Sequence, residues 1–155
     1  MTEKQKNDVL YVCSLIETIA RKTKNHRQDV IHCFSKKDIE HQQAVQELGR
    51  WIGESGNALV YGGSRCGLMG EIAESTLNAG GKVTGVEPEF FVQGELQHEG
   101  LTELIVTKDM TERKTKMIAL GDAFIAFPGG TGTLEEIAEV MSKVSLRHLD
   151  APCMI

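Results

Sequence analysis

The residues of this chain best suited to chemistry lie in Phe127-Pro128-Gly129-Gly130-Thr131-Gly132-Thr133-Leu134-Glu135-Glu136. Gly129, Gly130 and Gly132 let the backbone bend until successive N–H groups converge, and Thr131 and Thr133 add hydroxyl donors. The apolar run Ala123–Phe127 reads as a strand ahead of this turn, and a helix opens directly after it. The free amides of a helix N-terminus carry partial positive charge. Such a turn is a cradle for phosphate. It is not a Walker A loop, because no lysine precedes the threonine, and it lacks the G-x-G-x-x-G spacing of a dinucleotide fingerprint. The plainer alternative is a tight strand-to-helix turn that binds nothing.

Carboxylates follow at once. Glu135, Glu136 and Glu139 suit the positive end of a helix dipole, whatever else they do. Glu136 lies four residues beyond Gly132 and shares its helical face. One helical turn, about 5–6 Å, separates it from a phosphate in the cradle, the distance at which a nucleotide carries its sugar. There Glu136 is placed to bind ribose hydroxyls or to orient a water.

Two further segments belong with this one. Tyr61-Gly62-Gly63-Ser64-Arg65-Cys66-Gly67-Leu68-Met69-Gly70 is a second glycine-rich turn between strand and helix, suited to a second wall of the same cleft. In Asp109-Met110-Thr111-Glu112-Arg113-Lys114, Asp109 and Glu112 have capping-box spacing and start a helix. Arg113 then falls on the apolar stripe of Met110 and Met117. Either it reaches solvent along its aliphatic stem or it faces an anionic or planar ligand. Lys114 flanks the same edge.

Elements able to position these segments alternate along the chain. Strands are expected near Asp29–Phe34, Ala58–Gly62, Lys82–Val86, Glu103–Thr107 and Ala123–Phe127, with another beginning at Pro152–Ile155. Helices with apolar spacing near 3.6 are expected over 38–52, 68–79, 110–120 and 133–147. An additional amphipathic helix is expected over about 4–22, with Val9, Val12, Ile16 and Ile19 on one stripe, making residues 1–28 a helical extension. Nearly all-apolar strands alternating with helices imply an α/β fold, a Rossmann-like parallel sheet with helices on both faces. In such sheets ligands sit at the carboxyl ends of the strands, where these turns lie.

Composition agrees with one soluble domain over residues 1–155. Of 155 residues, 41% are hydrophobic and 25% charged, which excludes a disordered or collagen-like chain. The formal charge of −5 argues against nucleic-acid binding by a basic surface. Cys13, Cys33, Cys66 and Cys153 are dispersed, as expected of reduced thiols in a cytoplasmic protein and not of a disulfide framework or a zinc site. The polar N-terminus and the lack of a long apolar run predict neither a signal peptide nor a membrane segment.

In three segments, Gly62-Gly63-Ser64 with Gly67-Leu68-Met69-Gly70, then Glu112-Arg113-Lys114, then Pro128 through Glu136, the chain resembles the LOG ("lonely guy") family. These are cytokinin riboside 5′-monophosphate phosphoribohydrolases, many of them long labelled lysine decarboxylases. The resemblance covers roughly residues 29–155. It implies phosphate binding by Gly129, Gly130, Thr131, Gly132 and Thr133, and a catalytic pair of Arg113 and Glu136. It further implies that Lys114 and Glu135 line the substrate site, with contributions from Gly63, Ser64 and Glu95. Three departures accompany it: Thr111 stands where a His is common, Phe34-Ser35-Lys36-Lys37 replaces a Gly-Ser-Ser-like turn, and the expected closing C-terminal strand and helix are absent, so the chain looks truncated against the family.

The activity expected from the resemblance is hydrolysis of the N-glycosidic bond of an adenine or N6-substituted adenine nucleoside 5′-monophosphate, with no metal or redox cofactor. The partner expected is a small nucleotide, with neither nucleic acid nor membrane, in a homodimer. The alternative is a nucleotide-binding or carrier module that does no hydrolysis. Lysine decarboxylation is rejected on chemistry, since no lysine is arranged to form a pyridoxal-phosphate Schiff base.

Overall fold

The computed structural model describes residues 9–13, 36–92, 97–127 and 131–154. Its strands are β1 (Val9–Cys13), β2 (Ala58–Tyr61), β3 (Lys82–Pro88), β4 (Glu103–Thr107), β5 (Ala123–Ala126) and β6 (Cys153–Met154). Its helices are α1 (Lys36–Glu54), α2 (Gly67–Asn78), α3 (Glu89–Val92), α4 (Met110–Leu120) and α5 (Thr131–Ser145). All strand pairs are parallel, in the order β4-β3-β2-β1-β5-β6.

Strand alternation divides the core. Leu59, Tyr61 and Val83 join Val45 and Ile52 of α1 and Met69, Ile72 and Ala73 of α2. Val60 and Val86 join Met117 of α4, Phe124 and Ala126 of β5, and Ile137 and Val140 of α5. Adjacent strand residues therefore feed opposite faces, as the two-residue period requires. The sheet is covered on both sides, as apolar parallel strands demand. Among the described residues no helix is long and apolar enough to cross a membrane.

Two sequence expectations are corrected. Residues 9–13, expected inside an N-terminal helix, form β1 and pair with both β2 and β5. Val9-Leu10-Tyr11-Val12-Cys13 is continuously apolar and rich in β-branched and aromatic types, which suits a strand enclosed by neighbours better than an amphipathic stripe. The rest of that expected helix, and the expected strand at Asp29–Phe34, lie outside the described residues. Trp51, which completes the apolar stripe of the helix over 38–52 and is on that ground expected in the core, is 52% exposed. The helix stripe instead buries Val45 and Ile52, while Trp51 falls to the solvent side.

The chain runs outward from β1 through β2 and β3 to β4, then returns to the other side of β1 for β5. The order of strands reverses between β1 and β5. Ligand crevices of open parallel sheets form where the strand order reverses, outside the carboxyl ends.

Helices α1 and α2 approach closely at Gly49, where an added Cβ would stand 2.8 Å from both the Ile72 carbonyl oxygen and the Ser75 Cβ. Gly49→Ala would add about 1 kcal/mol of helix propensity, but overpacking against rigid neighbours costs roughly 1–3 kcal/mol. A net loss of stability is expected, read as a lower urea midpoint with unchanged slope.

Candidate active site

Helix α4 is set in place by its cap. The Asp109 carboxylate accepts from the Glu112 amide at 2.8 Å, and Glu112 Oε2 accepts from the Lys108 amide at 3.0 Å. This capped start places Arg113 in the first turn, pointing inward against β3. Its Nε donates to the Val86 carbonyl at 2.9 Å, and its Nη1 donates to Glu136 Oε1 at 2.5 Å. The two side chains are only 7% and 6% exposed. The choice between solvent and the interior is therefore settled: Arg113 faces inward and is paired.

Glu136 comes from α5, which opens at Thr131 just after β5. Thr131 and Gly132 form the first turn of this helix and Thr133 is buried. Gly129 and Gly130, expected in the cradle, lie outside the described residues, as does Glu95. Lys114 and Glu135, expected to line the substrate site, contact each other at the rim. Lys114 Nζ lies 2.6 Å from Glu135 Oε1 and 3.3 Å from Glu139 Oε2, and the Glu135 side chain is exposed. Hydrogen bonding to Glu135 holds the Lys114 ammonium above its usual range, followed by weaker help from Glu139.

The second glycine turn follows β2. Gly63 adopts a left-handed φ of +91°, and a Cβ there would stand 2.7 Å from Glu87 Cγ, so the position requires glycine twice over. Ser64 is buried; its Oγ accepts from the Cys66 amide at 3.1 Å and its backbone forms an antiparallel bridge with Gln97. The His98 amide donates to the Gly63 carbonyl at 2.9 Å, tying the segment before β4 to this turn. Cys66 and Cys153 are free thiols.

Buried side-chain oxygens without a hydrogen-bond partner mark the region. Among the described residues these are the Tyr61 hydroxyl, Glu87 Oε2, Gln97 Oε1 and Glu136 Oε2. Tyr61 closes β2, Glu87 stands near the end of β3, Gln97 bridges the turn after β2, and Glu136 is held by Arg113. All four belong to the carboxyl side of the sheet or to the elements packed there. Native interiors pair nearly all such groups, so a concentration of exceptions points to a ligand or water. Burial raises the Glu136 carboxyl above its usual range, against the charge and hydrogen bond of Arg113. Burial likewise raises Glu87, opposed by Arg113, and raises the Tyr61 phenol with help from the Glu87 charge.

Residue reasoning missed Glu87, Tyr61 and Gln97. A signal for Glu87 was present: it is the lone carboxylate after Val83-Thr84-Gly85-Val86 in an otherwise uncharged strand interior. A cavity of about 290 Å³ lined by Arg65, Glu71, Glu74 and His98, among others, borders α2 and includes neither Arg113 nor Glu136.

Residues 69–155 match the family model described as "Possible lysine decarboxylase". The chain belongs to this family. It is 49% identical over 120 residues to the cytokinin riboside 5′-monophosphate phosphoribohydrolase of Rhodococcoides fascians, covering 77% of this chain and 61% of that one. It is 40% identical over 122 residues to the cytokinin riboside 5′-monophosphate phosphoribohydrolase LOG of Oryza sativa subsp. japonica, covering 77% and 50% respectively. The chain thus spans about half to three-fifths of the length of these relatives. Among solved structures, the molybdenum cofactor binding protein of Rippkaea orientalis superposes with a TM-score of 0.66 at 20% identity, covering 90% of this chain and 74% of that one. The Moco carrier protein of Chlamydomonas reinhardtii gives 0.65 at 20% identity, covering 97% and 76%. At that identity the two share architecture alone with this chain.

Removing one partner of a buried ion pair costs about 3–5 kcal/mol, and Arg113→Met would leave Glu136 buried and alone. A carboxyl whose folded pKa is raised keeps its proton where the unfolded chain has already released it. Its contribution to stability is therefore full below the unfolded pKa and is lost as pH rises through the folded value. The stability deficit of Arg113→Met should be largest at pH 8 and shrink toward pH 5, measured by denaturant unfolding across that range.

Proposed function

We propose that this chain carries the active site of a nucleoside 5′-monophosphate phosphoribohydrolase acting on adenine or N6-substituted adenine nucleotides. The observation that carries this reading is the buried Arg113–Glu136 pair, held on the carboxyl side of the sheet and one turn into α5. The names of the relatives support the substrate class.

The phosphate would rest on the segment Gly129–Thr133, at the N-terminal end of α5, where a helix favours an anion. Anchored there, it contributes remote binding energy to the bond that breaks at the sugar. Departure of the base leaves an oxocarbenium-like sugar. Glu136, ionised by its pairing with Arg113, stabilises that positive charge and orients the attacking water. Arg113 cannot swing away, because Val86 holds its Nε. Lys114 and Glu135 border the entrance, and Gly63 and Ser64 form the opposite wall. The products are the free base and ribose 5-phosphate, and the reaction calls for no metal or redox cofactor.

We place the protein in the cytoplasm as a homodimer. Dispersed cysteines fit a reducing compartment, and exposed Leu134 and Met141, two turns apart on α5, give a second copy an apolar surface to cover. Light scattering should return twice the monomer mass; a monomer mass across a wide concentration range would remove the dimer.

The activity is tested by chromatography of AMP incubated with the protein, with adenine and ribose 5-phosphate expected. Glu136→Gln should lower turnover on the order of 10²–10³-fold, the usual cost of a lost preorganised electrostatic contact. AMP binding by calorimetry should barely change. Glu139→Gln, which alters only the lysine cluster at the rim, should stay near wild type. A wild-type protein that binds AMP and releases no adenine would move the assignment to a nucleotide carrier.

A further inference from the structure

The reaction described above leaves two buried ionisable groups unused, Tyr61 and Glu87, and only the second can give up a proton readily. Glu87 is 3% exposed, stands one residue before the end of β3, and keeps Oε2 without a partner among the described residues. Its side chain covers Gly63 of the second glycine turn. The residue before it, Val86, supplies the carbonyl that accepts from Arg113 Nε, while Nη1 of the same guanidinium grips Glu136. One planar group thus spans from Glu136 to the backbone beside Glu87. Glu87 shares the strand face of Val83 while Glu136 comes from the helix on the other face, and the charge of Arg113 acts on both carboxyls.

Charge counting then separates their roles. The titratable groups acting on Glu87 are Tyr61 from β2 and Arg113 from α4. Tyr61 is neutral and wholly buried; Arg113 acts on both carboxyls, while Lys114 acts on Glu136 alone and is itself engaged by Glu135 and Glu139. Ionising both would leave a buried negative charge uncompensated, which interiors avoid by keeping one group protonated. Glu136 owns the direct ion pair, so the proton resides on Glu87. Burial raises both carboxyls, so the direct ion pair of Glu136 is what separates them. Two carboxyls whose surroundings give them different charges are the usual basis for dividing acid from base.

On the phosphoribohydrolase reading, we propose that Glu87 is the general acid of this site, passing its carboxyl proton to a ring nitrogen of the purine as the glycosidic bond breaks. The electron pair of the C1′–N bond goes to the base, and the Glu87 proton neutralises it. Water forms the new C1′–O bond and gives its proton to Glu136. Glu136 then releases that proton to solvent, and solvent reprotonates Glu87. One water is consumed, and one neutral base and one ribose 5-phosphate are formed. Arg113 keeps its charge throughout.

The test compares AMP with 4-nitrophenyl ribofuranoside 5-phosphate, whose nitrophenolate departs without a proton. In Glu87→Gln, kcat for AMP should fall on the order of 10²–10⁴-fold, the usual contribution of general acid catalysis. KM for AMP should change little, and nitrophenolate release should stay close to the wild-type rate. A second arm needs no variant: wild-type kcat/KM for AMP should decline on the alkaline side as Glu87 ionises, and the nitrophenyl substrate should show no such decline. Equal losses on both substrates, wild-type AMP turnover in Glu87→Gln, or an alkaline limb common to both substrates would each overturn the proposal. If the wild type cleaves neither substrate, the phosphoribohydrolase reading fails instead, and the assignment to Glu87 with it.

Discussion

Taking a guanidinium out of water costs several kcal/mol unless its donors find acceptors at fixed positions. Arg113 meets that condition through two acceptors with different origins. The Val86 carbonyl is part of the sheet, and the Glu136 carboxylate arrives from a helix that starts beyond β5. Neither acceptor would be in place without the other elements. The cap at Asp109 decides where α4 begins, the register of β3 decides where the carbonyl lies, and α5 must open directly after β5. The pair is therefore a meeting point for three separately positioned elements, and its burial makes each of them answerable for the other two.

Around that pair the interior is left incomplete. Among the described residues, Glu136 and Glu87 each carry an oxygen without a partner, and the Tyr61 hydroxyl joins them. Each such group costs about 1–3 kcal/mol. A core built only for stability would replace them with apolar side chains of similar shape. The rim shows the opposite pattern, where Lys114, Glu135, Glu139 and Lys143 pair freely at the surface. Such exposed pairs are worth roughly 0–1 kcal/mol each. Polar satisfaction is thus plentiful where it matters least for stability and scarce beside Arg113, the distribution expected of a ligand site.

Much of this arrangement is legible in the residues themselves. Apolar strand runs separated by helical periods predict the parallel sheet, and the Asp109 and Glu112 spacing predicts the start of α4. Arg113 on an apolar stripe and Glu136 past a glycine turn single out the central pair, although no local pattern says that the two touch. That contact depends on strand order, and strand order is not written at any one position. The N-terminal segment shows the limit most clearly. Val9, Val12, Ile16 and Ile19 fit a helical stripe, yet Val9–Cys13 lies between β2 and β5, where tertiary pairing overrides the local period. Glu87 was overlooked for a related reason, since one carboxylate in a strand has meaning only once Gly63 and Arg113 are known to surround it.

The place of β1 also bears on how the molecule acquires its shape. Leu10 pairs with Ala123, so most of the chain lies between two adjacent strands. Closing so long a loop carries a high entropic penalty before any contact compensates it. By contrast, β2, β3 and β4 follow one another in both sequence and space, and can condense with α1 and α2 as a local unit. The side of the sheet that holds α5 is joined to that unit through the distant pairing of β1 with β5 and through the core that Val60 and Val86 share with Phe124 and Ile137. The crevice is accordingly a late product of folding, and an intermediate holding only β2 through β4 would lack Glu136 beside Arg113. Chains of such high contact order fold slowly, and here the slow step and the completion of the site coincide.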